Sequence, residues 1–457
     1  MNEKTRTTMA ASLAAALVLS SAGQAGEAGT DLQIPIEQYV LDNGLRVVLS
    51  ESHGSPTVGV AVYYDVGSRN EVKGRSGFAH LFEHMMFQGS KNVGKAEHFK
   101  IINASGGVMN GTTSEDRTSY FESLPSNMLP IALWLEADRM RSLTVTKENF
   151  ENQRATVMEE KRENYDNQPY VPSFIEINAL AFSGYWPYEH STIGSMKDLA
   201  NATAEDAQAF FDMHYTPSNA VLVIAGEFDP AQARSLVQEH FGDIVSHDPP
   251  GFTEPAWSPP GEEVYDAIED PLAPLPAFHM AYHVPPMRTP DFYPMTIISR
   301  ALGDGESSRL EQELVKQTGT VVEMYVSVDG RRGPDLLSFF CILSGVESPA
   351  QVRQRIKKHI VEIATKGLEK AELERIKNRL RMSYYRMLGT NLRRALILGR
   401  YKLYWDDPGA VNTELARYEA VTSGQIKEAA ATYLVDENRT ILDVMPPSMM
   451  GEEGYDE

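Results

Sequence analysis

The chain has 457 residues, 42% of them hydrophobic and 23% charged, with a net charge of −21. That length accommodates two or three domains with cores of their own, and the composition excludes wholesale disorder. So acidic a chain is a poor partner for nucleic acid or an anionic membrane, and a single cysteine, Cys341, excludes an internal disulfide.

Lys4 and Arg6 precede an apolar segment, Met9–Ser21, and then the small residues of AGQAGEA. This is the layout of a cleaved secretory signal over residues 1–25, with cleavage after Ala25 or Ala28. It predicts an exported protein, in the periplasm of a Gram-negative bacterium. No later apolar run is long enough to span a bilayer, so no stable membrane insertion is expected.

YVLDNGLRVVLS places Asp42-Asn43-Gly44 between short apolar alternations, a hairpin signal, and Thr57–Ser68 is rich in β-branched and aromatic residues, a strand. HLFEHMMF follows as a helix; GKAEHFKIINASGG reads as a second helix closed by glycines, and VMNGTTSEDRTSYFESL as two strands about a tight turn. Helical patterns over 127–142 and 147–164 and a strand in NAVLVIAGEFDP complete a first half, 34–245. The proline- and glycine-rich stretch 246–263 reads as a linker. Residues 264–445 repeat the grammar: strand PAFHMAYHV, helix DFYPMTIISRALG, strands VVEMYVSV and DLLSFFCILS, then two long helices. An acidic tail, 446–457, ends the chain. Strands and helices in blocks predict an α+β fold, two homologous halves that are each a mainly antiparallel sheet with helices packed on it.

On a helix, Phe78, Ala79, Leu81, Phe82, Met85 and Met86 cover one broad face, and His80, Glu83 and His84 share the remaining arc with Phe87. Ionisable groups on an otherwise apolar helix need partners, either a metal ion or a network of hydrogen bonds. His80 and His84, at i and i+4, are spaced to share one zinc ion, and Glu83 stands where it takes a proton from water beside such an ion. A third ligand has to come from elsewhere, and FENQRATVMEEKRENYDNQP is rich in carboxylates. His279 and His283 share the same spacing, but in a strand pattern that points them apart along the chain, so no second metal is expected there.

HLFEH followed by MEEKREN resembles the inverted-motif (HxxEH) zinc peptidase family of pitrilysin, insulin-degrading enzyme and mitochondrial processing peptidase. The stretches GGVMNGTTSEDRTSYFESLP, PYEHSTIGSMKDL, HYTPSNAVLVIAGEFDP and ALGDGESSRLEQEL extend the resemblance over 36–444. It implies one zinc ion per chain held by His80, His84 and Glu160, Glu83 as general base, and two halves forming a clam around a peptide substrate. It also implies that the peptide adds as a strand at Asn110, Gly111 and Thr112. Where family members carry an acidic residue one to two turns before the third ligand, this chain has Gln153, expected behind the ligands. Where active members carry an Arg and a Tyr in the second half, it has Val315 and Val322, neither able to donate a hydrogen bond. That departure implies a partner, a paralogous subunit supplying the Arg/Tyr pair. The expectation is a zinc metalloendopeptidase acting on extended, unfolded peptides as the zinc-bearing subunit of a heterodimer; the alternative is a catalytically silent structural or chaperone-like member.

Overall fold

The computed structural model describes residues 33–447; the expected signal segment and most of the acidic tail lie outside the described residues. Six strands form the first sheet: β1 (Glu37–Val40), β2 (Arg46–Glu51), β3 (Thr57–Tyr64), β4 (Val108–Thr113), β5 (Thr118–Pro125) and β6 (Ala220–Gly226), in the order β1-β2-β6-β3-β5-β4. Five form the second: β7 (Val264–Glu269), β8 (Ala277–Val284), β9 (Val321–Val328), β10 (Asp335–Leu343) and β11 (Arg439–Met445), in the order β7-β11-β8-β10-β9. From β2 onward the two orders superimpose. Each sheet has one parallel pair, β2 with β6 and β7 with β11, and antiparallel pairing elsewhere. The architecture is a mixed α+β fold in two halves of one plan.

The helices that matter here are α1 (Phe78–Met85), α2 (Leu129–Ser142), α3 (Lys147–Lys161), α4 (Val171–Ala181), α5 (Phe292–Gly303), α6 (Lys370–Met387), α7 (Asn391–Trp405) and α8 (Glu414–Glu419). No helix among the described residues is long and apolar enough to cross a membrane.

β3 reads TVGVAVYY because both of its faces are covered. Val58, Val60, Val62 and Tyr64 point into a core confined to the first half, while Ala61 and Tyr63 point into one shared with α7 of the second half. The small residues on that second face set the helix close: a Cβ on Gly59 would fall 2.6 Å from Leu392 Cα, and one on Gly399 2.4 Å from the Tyr63 ring. The Tyr63 hydroxyl donates to Leu396 O at 2.8 Å, and Asn391 Nδ2 to Thr57 O at 2.8 Å. The exchange is reciprocal, since α4 of the first half lies on β8 and β11 of the second sheet. Neither half closes its own sheet.

The linker is docked rather than free. Phe252 stacks on the Arg69 guanidinium (3.8 Å), Glu254 accepts from Arg69 at 2.9 Å, and Trp257 Nε1 donates to Ser183 O at 3.0 Å. Arg69 also pairs with buried Asp116 at 2.8 Å, which accepts from Tyr188 of the first half and from the Arg332 backbone of the second. These contacts tie both halves to the loop between β4 and β5.

His279 and His283 lie in β8, the first beside Ser173 Oγ (2.7 Å) and the second among the Phe182 and Trp257 rings. Among the described residues they belong to no group spaced to hold a metal ion. Burial pushes His279 down to about 3, and His283 and His214 down to about 4. The unfolded chain protonates its histidines near 6.5, so between there and about 4 it binds more protons than the folded chain, and stability is lost as pH falls through that window. Acidification from pH 7 to 5 should lower the melting temperature. Both His283 nitrogens are buried without partners. His283→Phe should therefore remove about 1.4 kcal/mol per pH unit of that slope; an unchanged slope would show that this ring is not held neutral.

Candidate metal centre

α1 starts at Gly77, whose φ of 90° is left-handed and whose absent Cβ leaves room for Ile193 O, otherwise 2.8 Å away. No side chain at the start of the helix caps it. The carboxylate of Glu71 does so from outside, accepting from Gly77 N at 2.9 Å and Ala79 N at 2.7 Å. This fully buried carboxylate sits 3.0 Å from His190 Nε2, and the ring of His190 stacks 3.9 Å from Trp186, whose indole donates to the Glu71 carbonyl at 2.6 Å. Burial pushes the Glu71 carboxyl up, opposed by His190 and the two backbone N–H groups. The orientation of α1 is set by this cluster, a role with no signal in the sequence because the cap lies seven residues upstream of Phe78. Glu71→Gln replaces an acceptor with an N–H donor facing a backbone N–H. About 2–3 kcal/mol of stability should be lost, as for a buried charge-assisted hydrogen bond, together with tightness of metal binding; urea unfolding and metal titration check both.

The apolar face of α1 is buried as its periodicity predicts, and His80, Glu83 and His84 are half-buried on the other side. Glu160, in the last turn of α3, faces them. Its Oε1 lies 3.8 Å from His80 Nε2 and its Oε2 3.3 Å from His84 Nε2. The three donor atoms fall within 4.8 Å of one another. Two donors each 2.0–2.1 Å from a tetrahedral ion stand about 3.3 Å apart, so this set fits zinc with little adjustment. Burial, with His84 adding to it, pushes His80 down to about 4, leaving a neutral ring with a free lone pair. The contact with His84 holds Glu160 below the usual carboxylate range. A second cluster, His98, Glu122 and Glu136, is buried, but Arg139 makes a two-pronged ion pair with Glu136 inside it.

Glu83 points to the same side but toward β4: Thr113 Oγ1 donates to its Oε2 at 2.7 Å. Burial pushes the Glu83 carboxyl up and the Thr113 bond counters it. Thr113, which sequence reading missed, fixes this carboxylate. Gly111 faces Glu83 as well, and a Cβ there would lie 3.0 Å from Glu83 Cγ. Asn110 is exposed, and Thr112 Oγ1 accepts from Arg117 at 2.6 Å. β4 is an edge strand, paired only with β5, and so keeps one row of backbone groups open. Gln153, on α3 with Glu160, is buried and donates to its neighbour Asn152 at 2.9 Å. Val315 packs on the second-half core, and Val322 is exposed at the start of β9, the strand matching β4. α5 occupies in the second half the place of α1 and carries no histidine.

A duplicated α+β chain with two histidines and a glutamate on one helix, and a carboxylate facing them from another, defines the class of the inverted-motif zinc peptidases. The chain belongs to peptidase family M16: residues 46–184 match the family model described as Insulinase (Peptidase family M16), and 201–380 the one described as Peptidase M16 inactive domain. It is similar to the zinc protease PqqE of Helicobacter pylori, 31% identical over 75% of this chain and 77% of that protein. It is also similar to the β subunit of the mitochondrial processing peptidase of Rattus norvegicus, 24% identical over 91% and 86%. Among solved structures, a protease from Helicobacter pylori superimposes with a TM-score of 0.86 at 26% identity, covering 91% of this chain and all of that one. The periplasmic protease PqqL from Escherichia coli shares the fold (TM-score 0.74, 17% identity), with 91% of this chain covering 48% of that chain.

Proposed function

We propose that this chain is a zinc-dependent endopeptidase that hydrolyses extended, unfolded peptides or small proteins, and that it works as the zinc-bearing subunit of a heterodimer in the periplasm. The observation that carries the reading is the convergence of His80, His84 and Glu160 beside a separately anchored Glu83. The three would hold the ion. Bound there, zinc supplies Lewis acidity toward a peptide carbonyl and a lower pKa for water. Glu83, with one oxygen on Thr113, keeps the other free to take a proton from the attacking water and pass it to the leaving amine. The open edge of β4 offers backbone N–H and C=O groups to an extended peptide, and a folded domain cannot present such a strand.

The heterodimer rests on Val315 and Val322 and on the interlock of the halves. Because α4 and α7 are exchanged between the sheets, the two halves pack into one body, which favours a clam that closes between this chain and a second one of similar plan over the expected one between the halves of a single chain. That PqqL is about twice as long as the part this chain covers supports the arrangement. Zinc analysis of purified protein should give one ion per chain, and Glu160→Gln should weaken zinc affinity by at least about tenfold. Unchanged affinity in that variant would remove Glu160 from the ligand set. Full peptidase activity from the isolated chain would sink the heterodimer, whereas activity restored by an Arg/Tyr-bearing paralogue and lost when its Arg becomes Ala would support it.

A further inference from the structure

In the second half, α5, α6, α7 and α8 border an open pocket of about 460 Å³ lined by four arginines, Arg300, Arg386, Arg393 and Arg400, against one carboxylate, Glu414. On a chain of net charge −21 this is a local reversal of sign. Glu414 offsets only part of it, since its charge is shared: its Oε1 accepts from the Tyr293 hydroxyl at 3.0 Å, its Oε2 faces Arg288 at 3.4 Å, and Arg417 and Arg400 also act on it. Arg300 pairs with Asp304 at 2.7 Å, but Asp304 also receives Arg379 at 2.9 Å. Arg393 donates to the Arg386 carbonyl at 3.5 Å, and Arg400 stands 6.0 Å from the Tyr401 ring with Glu414, shared with Arg288 and Arg417, as the carboxylate that acts on it.

Guanidinium groups stay charged at any ordinary pH, so half-buried Arg300 and Arg400 with exposed Arg386 and Arg393 give this pocket a positive potential that water screens only in part and that an anion would relieve. The volume is that of a small-molecule site. Between the arginines the wall is apolar and aromatic, from Leu380, Met387 and Leu415 with the Tyr384 and Tyr418 rings. We propose that this cavity binds a small organic anion, a phosphate or carboxylate group carried on an apolar body.

The test is calorimetric titration of the full chain with 2-naphthyl phosphate, 2-naphthoate and inorganic phosphate, which reads binding without any peptidase assay. At least one naphthyl probe should bind about tenfold or more tightly than inorganic phosphate, and added salt should weaken it. Which naphthyl probe wins tells phosphate from carboxylate. Arg386→Ala/Arg400→Gln should lower its affinity by at least about tenfold, with a melting temperature and zinc content like those of the parent; Arg393→Ala is the second variant should the first fold poorly. No binding of either naphthyl probe up to about 1 mM, or an affinity untouched in the folded variants, overturns the assignment.

Discussion

Glu83→Gln is expected to keep about one zinc ion per chain and to lower kcat by about 10³–10⁴, the loss that follows removal of a positioned general base. The substitution preserves shape. The Thr113 hydroxyl still finds an acceptor in the amide oxygen, and Gly111 leaves the same room above the side chain. What disappears is the capacity to take a proton. Metal content separates this from a ligand role, because Glu83 faces β4 while the three donors of His80, His84 and Glu160 face each other. If Glu83→Gln emptied the site of zinc, or retained most of its activity with the partner present, the assignment of the base would be wrong.

Gly59→Val should destabilise the protein by about 3–5 kcal/mol, near the upper end for a single substitution. Any Cβ at this position meets backbone, 2.6 Å from Leu392 Cα and 2.7 Å from Leu392 N, so α7 has to lift off β3 to admit it. A valine at Gly54, where a Cβ meets nothing within 4 Å, serves as the control. Urea unfolding followed by tryptophan fluorescence measures both. A Gly59 variant within about 0.5 kcal/mol of the parent would mean that the helix is not seated tightly on the sheet.

The face proposed to carry the chemistry was legible because α1 is short, strongly apolar on one side and carries its ionisable residues on the other. Glu160 was not legible on those terms. It sits among other carboxylates on a polar helix, where periodicity separates no one glutamate from its neighbours, and only resemblance singled it out. Glu71 and Thr113 act through space from a loop and a strand, and nothing local distinguishes them. The order of strands and helices could be read from alternation and turn residues, and β3 reads as covered on both faces. That the cover on one face comes from a helix more than 300 residues later is a matter of tertiary packing, which a local pattern does not carry.

That exchange of helices has a consequence for how the chain is made. While the first half leaves the ribosome or emerges from a membrane, the face of its sheet formed by Val48, Ala61, Tyr63, Val221, Val223 and Ala225 has no cover until Trp405 has followed. Contacts so distant in sequence form slowly, because the intervening loop has to be closed before they give anything back. The nascent first half is therefore an apolar sheet waiting for its lid, and it is exposed to aggregation over that interval.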